Sequence, residues 1–210
     1  MTATAVRRRG RPPRSREGFA DTRELLLRSG LEVLTEKGYS ATGIDEILGR
    51  VRIPKGSFYH YFESKEAFGL ELIDRYGAYF AGKLDSHFGN PNLSPLMRLQ
   101  AFVADAMAGM RRFEFRRGCL IGNLGQEMTC LPESFRERLH AVFIDWEERL
   151  AGCLEAAKAE GQIPQEADCR QLASAFWIGW EGAVLRAKLE RSTRPLASFA
   201  QFFVSALRAA

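Results

Sequence analysis

Helix start and stop signals recur so closely over residues 21–64 that the segment has room for three short helices and nothing larger. Asp21 and Glu24 stand at capping-box spacing. Leu26, Ser29, Gly30, Val33 and Leu34 then recur every three and four residues, which puts them on one buried helical stripe. Lys37 followed by Gly38 closes the pattern, a cation in the last turn and then a residue that adopts left-handed backbone freely. Thr42 and Asp45 repeat the capping-box spacing and predict a second helix carrying Ile44, Ile47 and Leu48. A turn through Val51, Arg52 and Ile53 leads to Pro54, well placed to open a third helix over residues 54–60. Ser64 is the expected N-cap of a fourth helix over residues 65–81. Three helices in so short a span, the last two joined by a tight turn, describe a helix-turn-helix unit.

The third of these helices has an unusual surface. Phe58 and Phe62 are four residues apart and point into a small core, which leaves Lys55, Ser57, Tyr59 and His60 on other faces. A lysine, a hydroxyl, a phenol and an imidazole are donors for phosphates and base edges. Gly56 has no side chain, so the backbone there is free to approach a base closely.

Charge is distributed unevenly. The chain carries +4 overall, but residues 1–16 hold six arginines and no acid, which leaves the rest at −2. A terminal block of one charge either keeps a protein soluble or meets a polyanion. Within it, Arg9 and Arg11 flank Gly10 and precede Pro12, an extended strip with two guanidinium groups. Such a strip suits the narrow minor groove of A·T-rich DNA. Residues 1–18 are thus expected to be a basic arm, 19–64 a DNA-binding domain and 65–210 a second helical domain.

Several classes are excluded. Apolar residues make up 46% and charged residues 27%, the proportions of a globular protein. The longest stretch free of Asp, Glu, Lys and Arg is the 13 residues 195–207, too short for a membrane span, and no secretory leader is recognisable at the start. A cytoplasmic location is expected. The four cysteines lack metal-ligand spacing and read as reduced thiols, so neither a metal site nor a cofactor is expected. The sequence has no P-loop, no GxGxxG and no GxSxG, and its three histidines are isolated, which argues against an enzyme.

From Pro95 onward the chain reads as five or six helices, broken at Arg117-Gly118, Leu131-Pro132, residues 161–164 and residues 193–195. The fold class is therefore all-α. Gly179, Gly182, Ala183 and Ala187 form a row of small residues, and Phe199, Phe202, Phe203, Ala206 and Leu207 give the last helix a heavy apolar stripe. Either both stripes face their own core or they build a four-helix interface between two copies. Candidate walls of a ligand pocket are Phe113, Phe115, Cys119, Asn123, Glu127, Trp146, Trp177, Trp180 and Glu181, with Arg117 available to a carboxylate or phosphate. Cys119 opens an apolar helix behind Arg116 and Arg117. A helix N-terminus and nearby cations stabilise a thiolate, whereas a buried free cysteine is otherwise an inert small hydrophobe.

Gly38-Tyr39, the run Pro54-Lys55-Gly56-Ser57-Phe58-Tyr59-His60-Tyr61-Phe62, and Ser64-Lys65 resemble the DNA-binding signature of the TetR family of bacterial transcriptional regulators. The resemblance covers residues 21–70. It implies an all-helical homodimer with an N-terminal helix-turn-helix domain and a larger domain that takes a small-molecule inducer. It also implies that Lys55 and Gly56 approach bases, that Ser57, Tyr59 and Tyr61 lie near phosphates, and that His60 is exposed on the recognition helix. Thr42 and Lys65 would meet phosphates at the N-termini of the second and fourth helices. The family often has glycine where Arg52 stands; an arginine at positive φ costs about 1–2 kcal/mol, so either the turn differs in shape or Arg52 contacts DNA. Two further stretches, Arg117-Gly118-Cys119 through Glu127 and Phe176-Trp177 through Ala183, are similar to TetR-type repressors that respond to acrylate-like or other electrophilic molecules. The function this implies is binding to a palindromic operator in double-stranded DNA and release by an inducer: an acrylate-like acid, an acyl thioester or another electrophile. The alternatives are a redox or electrophile sensor acting through Cys119 alone, and an inducer-free architectural DNA-binding protein.

Overall fold

A computed structural model describes residues 16–207. They form eight α-helices and one 3-10 segment, with no strand among the described residues. The helices are α1 (Arg16–Lys37), α2 (Ile44–Val51), α3 (Lys65–Phe88), α4 (Pro95–Arg112), α5 (Leu120–Gln126), α6 (Glu133–Ala159), α7 (Cys169–Glu190) and α8 (Arg194–Leu207). The 3-10 segment, Lys55–His60, lies between α2 and α3. None of these helices is long and apolar enough to cross a membrane.

The expected stripe of α1 is buried, and it meets Ile47 and Leu48 of α2 and Phe58 and Phe62 beyond it. Phe68 of α3 completes this core, with ring centroids 5.3 Å from Phe58 and 4.7 Å from Phe62. Gly30 makes that approach possible: a Cβ there would lie 2.3 Å from the Phe68 ring. Ser64 caps α3, accepting the Ala67 N–H at 2.9 Å.

Four local expectations are corrected. First, α1 spans Arg16–Lys37, so Asp21 and Glu24 lie inside it and form no capping box; Glu24 pairs with Arg28 and Arg75 instead. The helix thus begins within the stretch assigned to the basic arm. Second, α2 is preceded by Gly43, without a side-chain cap, because the Thr42 hydroxyl turns back and donates to the Gly38 carbonyl at 2.6 Å. Third, the predicted third helix is 3-10: Ser57 N–H donates to Pro54 O and Tyr61 N–H to Phe58 O, each at 2.9 Å. A six-residue run containing glycine has little to favour the α form. The fourth helix is longer than expected and reaches Phe88, since nothing breaks it before Gly89.

α3 continues into the second domain, where it packs against α6, and α6 packs against α7, and α7 against α8. The core there is aromatic, with Trp146, Trp177, Phe102, Phe135 and Phe176 buried. Most of the small-residue row of α7 packs within its own chain, while Gly182 is exposed with open space where a Cβ would stand. A Cβ on Gly179 would lie 2.2 Å from the Phe199 ring of α8, and Ala183 and Ala187 are buried. Leu196, Phe203 and Leu207 of α8 also face inward. Ile178 (74% exposed), Leu189 (71%) and Phe202 (71%) remain on the surface of the α7–α8 pair.

Candidate DNA-binding surface and ligand cavity

Phe58 anchors the 3-10 segment, and the remaining side chains take the places that anchor leaves. Tyr59 is 60% exposed, its ring edge-on to Phe58, and His60 is exposed beside it. Gly56 is exposed with open space where a Cβ would stand. Ser57 and Tyr61 are half-buried. Lys55 is exposed and paired with Asp45 at 2.6 Å, which holds its ammonium charged; a phosphate would have to displace that carboxylate. Arg52 takes left-handed backbone, φ 54° and ψ 39°, with its side chain in solvent. The sharp turn is thus made by arginine itself, and its N–H donates to Gly49 O at 3.3 Å.

Two expected phosphate contacts sit differently. Thr42 is 1% exposed and its hydroxyl is engaged, so its side chain does not reach outward. Lys65 lies 4.0 Å over the Tyr39 ring and donates to the Tyr39 carbonyl at 2.9 Å. It braces the α1–α2 turn, and burial lowers the pKa of its ammonium. Arg9 and Arg11 lie outside the described residues.

Behind this surface a cavity of about 320 Å³ opens between α3, α4, α7 and the start of α5. Its walls include the expected Phe113, Arg117, Cys119, Trp180 and Glu181, together with Tyr76, Tyr79, Phe80 and Lys83 of α3 and Phe102 and Met110 of α4. The α3 contribution escaped the sequence reading. Its spacing of 76, 79, 80 and 83 marks one helical face, but periodicity does not say what space a face borders.

Five expected wall residues are not part of it. Trp146 and Trp177 are core residues stacked behind Phe80, at centroid distances of 4.5 and 6.1 Å. Asn123 and Glu127 belong to the joint with the first domain. Asn123 Nδ2 donates to Thr35 O at 2.9 Å, while the Glu127 carboxylate accepts the N–H groups of Tyr39 at 3.0 Å and Ser40 at 2.7 Å. Phe115 likewise packs on the core from the α4–α5 loop, at φ 58°. α5 is too short to keep both its ends in one environment: its N-cap, Cys119, borders the cavity, and its C-cap, Glu127, holds the α1–α2 turn.

The cavity's polar groups gather at α5. Burial and the Glu181 carboxylate push the Cys119 thiol well above its ordinary pKa, the opposite of the expected lowering. Arg116 is exposed, and Arg117 is spent on Glu36 at 3.2 Å and Glu32 at 3.5 Å. Burial pushes the Glu181 carboxyl up to about 7, against an opposing effect of the Cys119 thiol near it. Tyr76 is raised well above its usual value by the same burial. Among the described residues no three His, Cys, Asp or Glu side chains group to hold a metal ion, and all four cysteines are free thiols. A wider groove of about 480 Å³ between α4 and α8 is lined almost wholly by apolar groups, with Arg111 its one charged wall residue.

A helix-turn-helix unit with an exposed polar segment, joined through α3 and α5 to a helical domain with a cavity, defines a DNA-binding regulator. The chain belongs to the tetR family of bacterial regulatory proteins: residues 26–72 match that family's DNA-binding model and residues 95–203 match the tetracyclin repressor-like C-terminal domain. It is 53% identical to the transcriptional regulator AcuR of Cereibacter sphaeroides, over 93% of this chain and 89% of that protein. It is 31% identical to the repressor NemR of Escherichia coli, over 84% and 88% of the two chains. The crystal structure of a regulatory protein TetR from Rhodobacter sphaeroides superimposes with a TM-score of 0.85 at 54% identity, covering 87% of this chain and 96% of that one. Regulators of this family are DNA-binding proteins and not enzymes, and the chain is a transcriptional regulator of that kind.

Proposed function

We propose that the chain is a repressor that holds a palindromic operator as a homodimer in the cytoplasm and lets go when a small molecule enters the α3–α4–α5–α7 cavity. Two copies of the 3-10 segment would lie in successive major grooves, about 34–36 Å apart. Lys55 and Gly56 would face bases, and Ser57, Tyr59, His60 and Tyr61 the backbone and groove edge, with Arg52 beside them. Arg9 and Arg11 would enter the neighbouring minor groove. The exposed apolar face of α7 and α8, with Ile178, Leu189 and Phe202, suits a four-helix contact between copies.

The observation that carries this reading is α5. It borders the cavity at Cys119 and ends in a carboxylate clamped on two backbone amides of the DNA-binding unit. A ligand that displaces α5 or α3 therefore displaces the 3-10 segment. It can do so only to the extent that it binds the two arrangements unequally. The inducers proposed are acrylate-like acids, acyl thioesters or other electrophiles. The cavity also makes an inducer-free architectural role the weaker alternative.

A second reading is favoured by the presence of Cys119 in the cavity wall: covalent capture of an electrophile at its Sγ. Gel-shift titration on a palindromic duplex selected from random sequence tests the whole scheme. Tyr59→Ala and Lys55→Ala should each weaken binding, and unchanged affinity would remove the 3-10 segment from the interface. In the same assay Cys119→Ser should lose the response to an electrophile and keep the response to a reversible ligand. Retention of both would discard the covalent reading.

A further inference from the structure

Tyr76 of α3, Cys119 at the N-cap of α5 and Glu181 of α7 line one end of the cavity. Sγ of Cys119 accepts the Gly122 N–H at 3.4 Å, and the Glu181 carboxylate lies over the same glycine, so that its charge acts on the thiol. The carboxylate reaches this position over Gly122, where a Cβ would stand 1.8 Å from Glu181 Oε2. Any other residue at 122 would drive the carboxyl off the thiol.

We propose that Glu181 is the proton acceptor that turns Cys119 into a nucleophile toward a small α,β-unsaturated carbonyl compound in this cavity. The inference rests on the covalent reading given above. A buried thiol ionises poorly by itself, because an isolated thiolate loses the solvation of water. Transfer of its proton to an adjacent carboxylate moves the negative charge by one group and leaves the net charge of the cavity unchanged. The new thiolate keeps the Gly122 N–H as a donor, with the Tyr76 hydroxyl at the same end of the cavity. A carboxyl that titrates near 7 is matched to neutral pH as a base.

The step balances without an oxidant or reductant. As Sγ bonds the β-carbon, the thiol proton passes to the Glu181 carboxylate and the π pair moves onto the carbonyl oxygen. Glu181 then returns the proton to the α-carbon. An S–C and a C–H bond form, an S–H bond and the C=C π bond break, and the carboxylate is restored.

Five groups bear on the titration of Glu181. Cys119 at the N-cap of α5 and Tyr76 of α3 line the same end of the cavity, Lys83 and Arg117 share its wall, and Lys188 of α7 packs against Gly118. Lys83 is paired with Asp105 at 2.6 Å and Arg117 with Glu36.

The test is the rate of adduct formation at Cys119 with acrylamide, a small uncharged unsaturated amide, followed by peptide mass mapping across neutral and alkaline pH. The intact chain carries Cys130→Ser, which silences the one exposed thiol among the described cysteines. The rate should rise to a plateau with its half-point near pH 7. Glu181→Gln should slow the reaction at neutral pH by roughly a hundredfold and let it recover only in alkali, where the thiol ionises unaided. Equal rates and profiles in the two proteins would overturn the role of Glu181 while leaving covalent capture standing. Absence of any adduct at Cys119 in the Glu181 protein would overturn both. Should Glu181→Gln fail to fold, the profile of the Glu181 protein decides: a half-point near 7 supports the proposal, and one in the alkaline thiol range overturns it.

Discussion

Cys119 shows how far one side chain's chemistry depends on its neighbours. A helix N-terminus and two preceding arginines argue for an easily ionised thiol. In the folded chain Arg117 is bound to Glu36 and Glu32, Arg116 faces solvent, and burial beside a carboxylate dominates. Glu181 has the same cause of shift and a consequence for stability. Unfolded, its carboxyl loses the proton near its ordinary 4.5; folded, it holds the proton until about 7. Between those values the folded chain binds more protons, so this group's contribution to stability falls as pH rises. Glu181→Gln removes that dependence. Denaturation of the two proteins should show the variant gaining roughly 1–3 kcal/mol relative to the parent between mildly acid and mildly alkaline pH. A constant difference would show that the carboxyl titrates normally. Arg52 allows a second measurement at this scale. Arg52→Gly relieves positive φ at some entropic cost, so stability should change by less than about 1 kcal/mol. Operator affinity should fall; if it does not, Arg52 serves the turn alone.

Among the elements, α5 is the shortest helix of the second domain, and its C-cap, Glu127, bonds the α1–α2 turn of the first. It carries Cys119 at one end and Glu127 at the other, with Asn123 bonded to α1 between them. Glu127→Ala would leave two amides without their carboxylate, a loss of about 1.5–3 kcal/mol where the acceptor is charged. The expected result is a smaller ratio of operator affinities with and without inducer, with inducer affinity nearly unchanged. An undiminished ratio would place the coupling in α3 alone. The sequence made α5 visible as an apolar helix after Gly118, and it made Glu127 visible as a polar group. It did not tell cavity from joint, because the two lie a few residues apart on one short helix.

At the scale of the whole molecule, the proposed scheme makes operator binding depend on the α7–α8 face and on the N-terminal arginines. Phe202→Asp should convert a dimer to a monomer in analytical ultracentrifugation and abolish operator binding without loss of helical content. A dimer that persists would move the interface elsewhere. Deletion of residues 1–15 should reduce the dependence of binding on salt by about 0.9 in log–log slope for each phosphate the arm neutralises. An unaltered slope would make the arm a bystander.

Local rules sufficed for what depends on chain neighbours. The α1 stripe, the left-handed Gly38, the Ser64 cap, the exposure of Tyr59 and His60 around the Phe58 anchor and the breaks between later helices all follow from residues within a few positions of one another. Packing alone decided the rest. It turned Thr42 inward, filled the space above Gly179 with Phe199, set Trp146 and Trp177 behind the cavity wall and brought the Glu181 carboxyl over Gly122 onto a thiol more than sixty positions away. These outcomes depend on which helix faces meet, and a helix presents the same periodic face whether it borders a core, a cavity or a second domain.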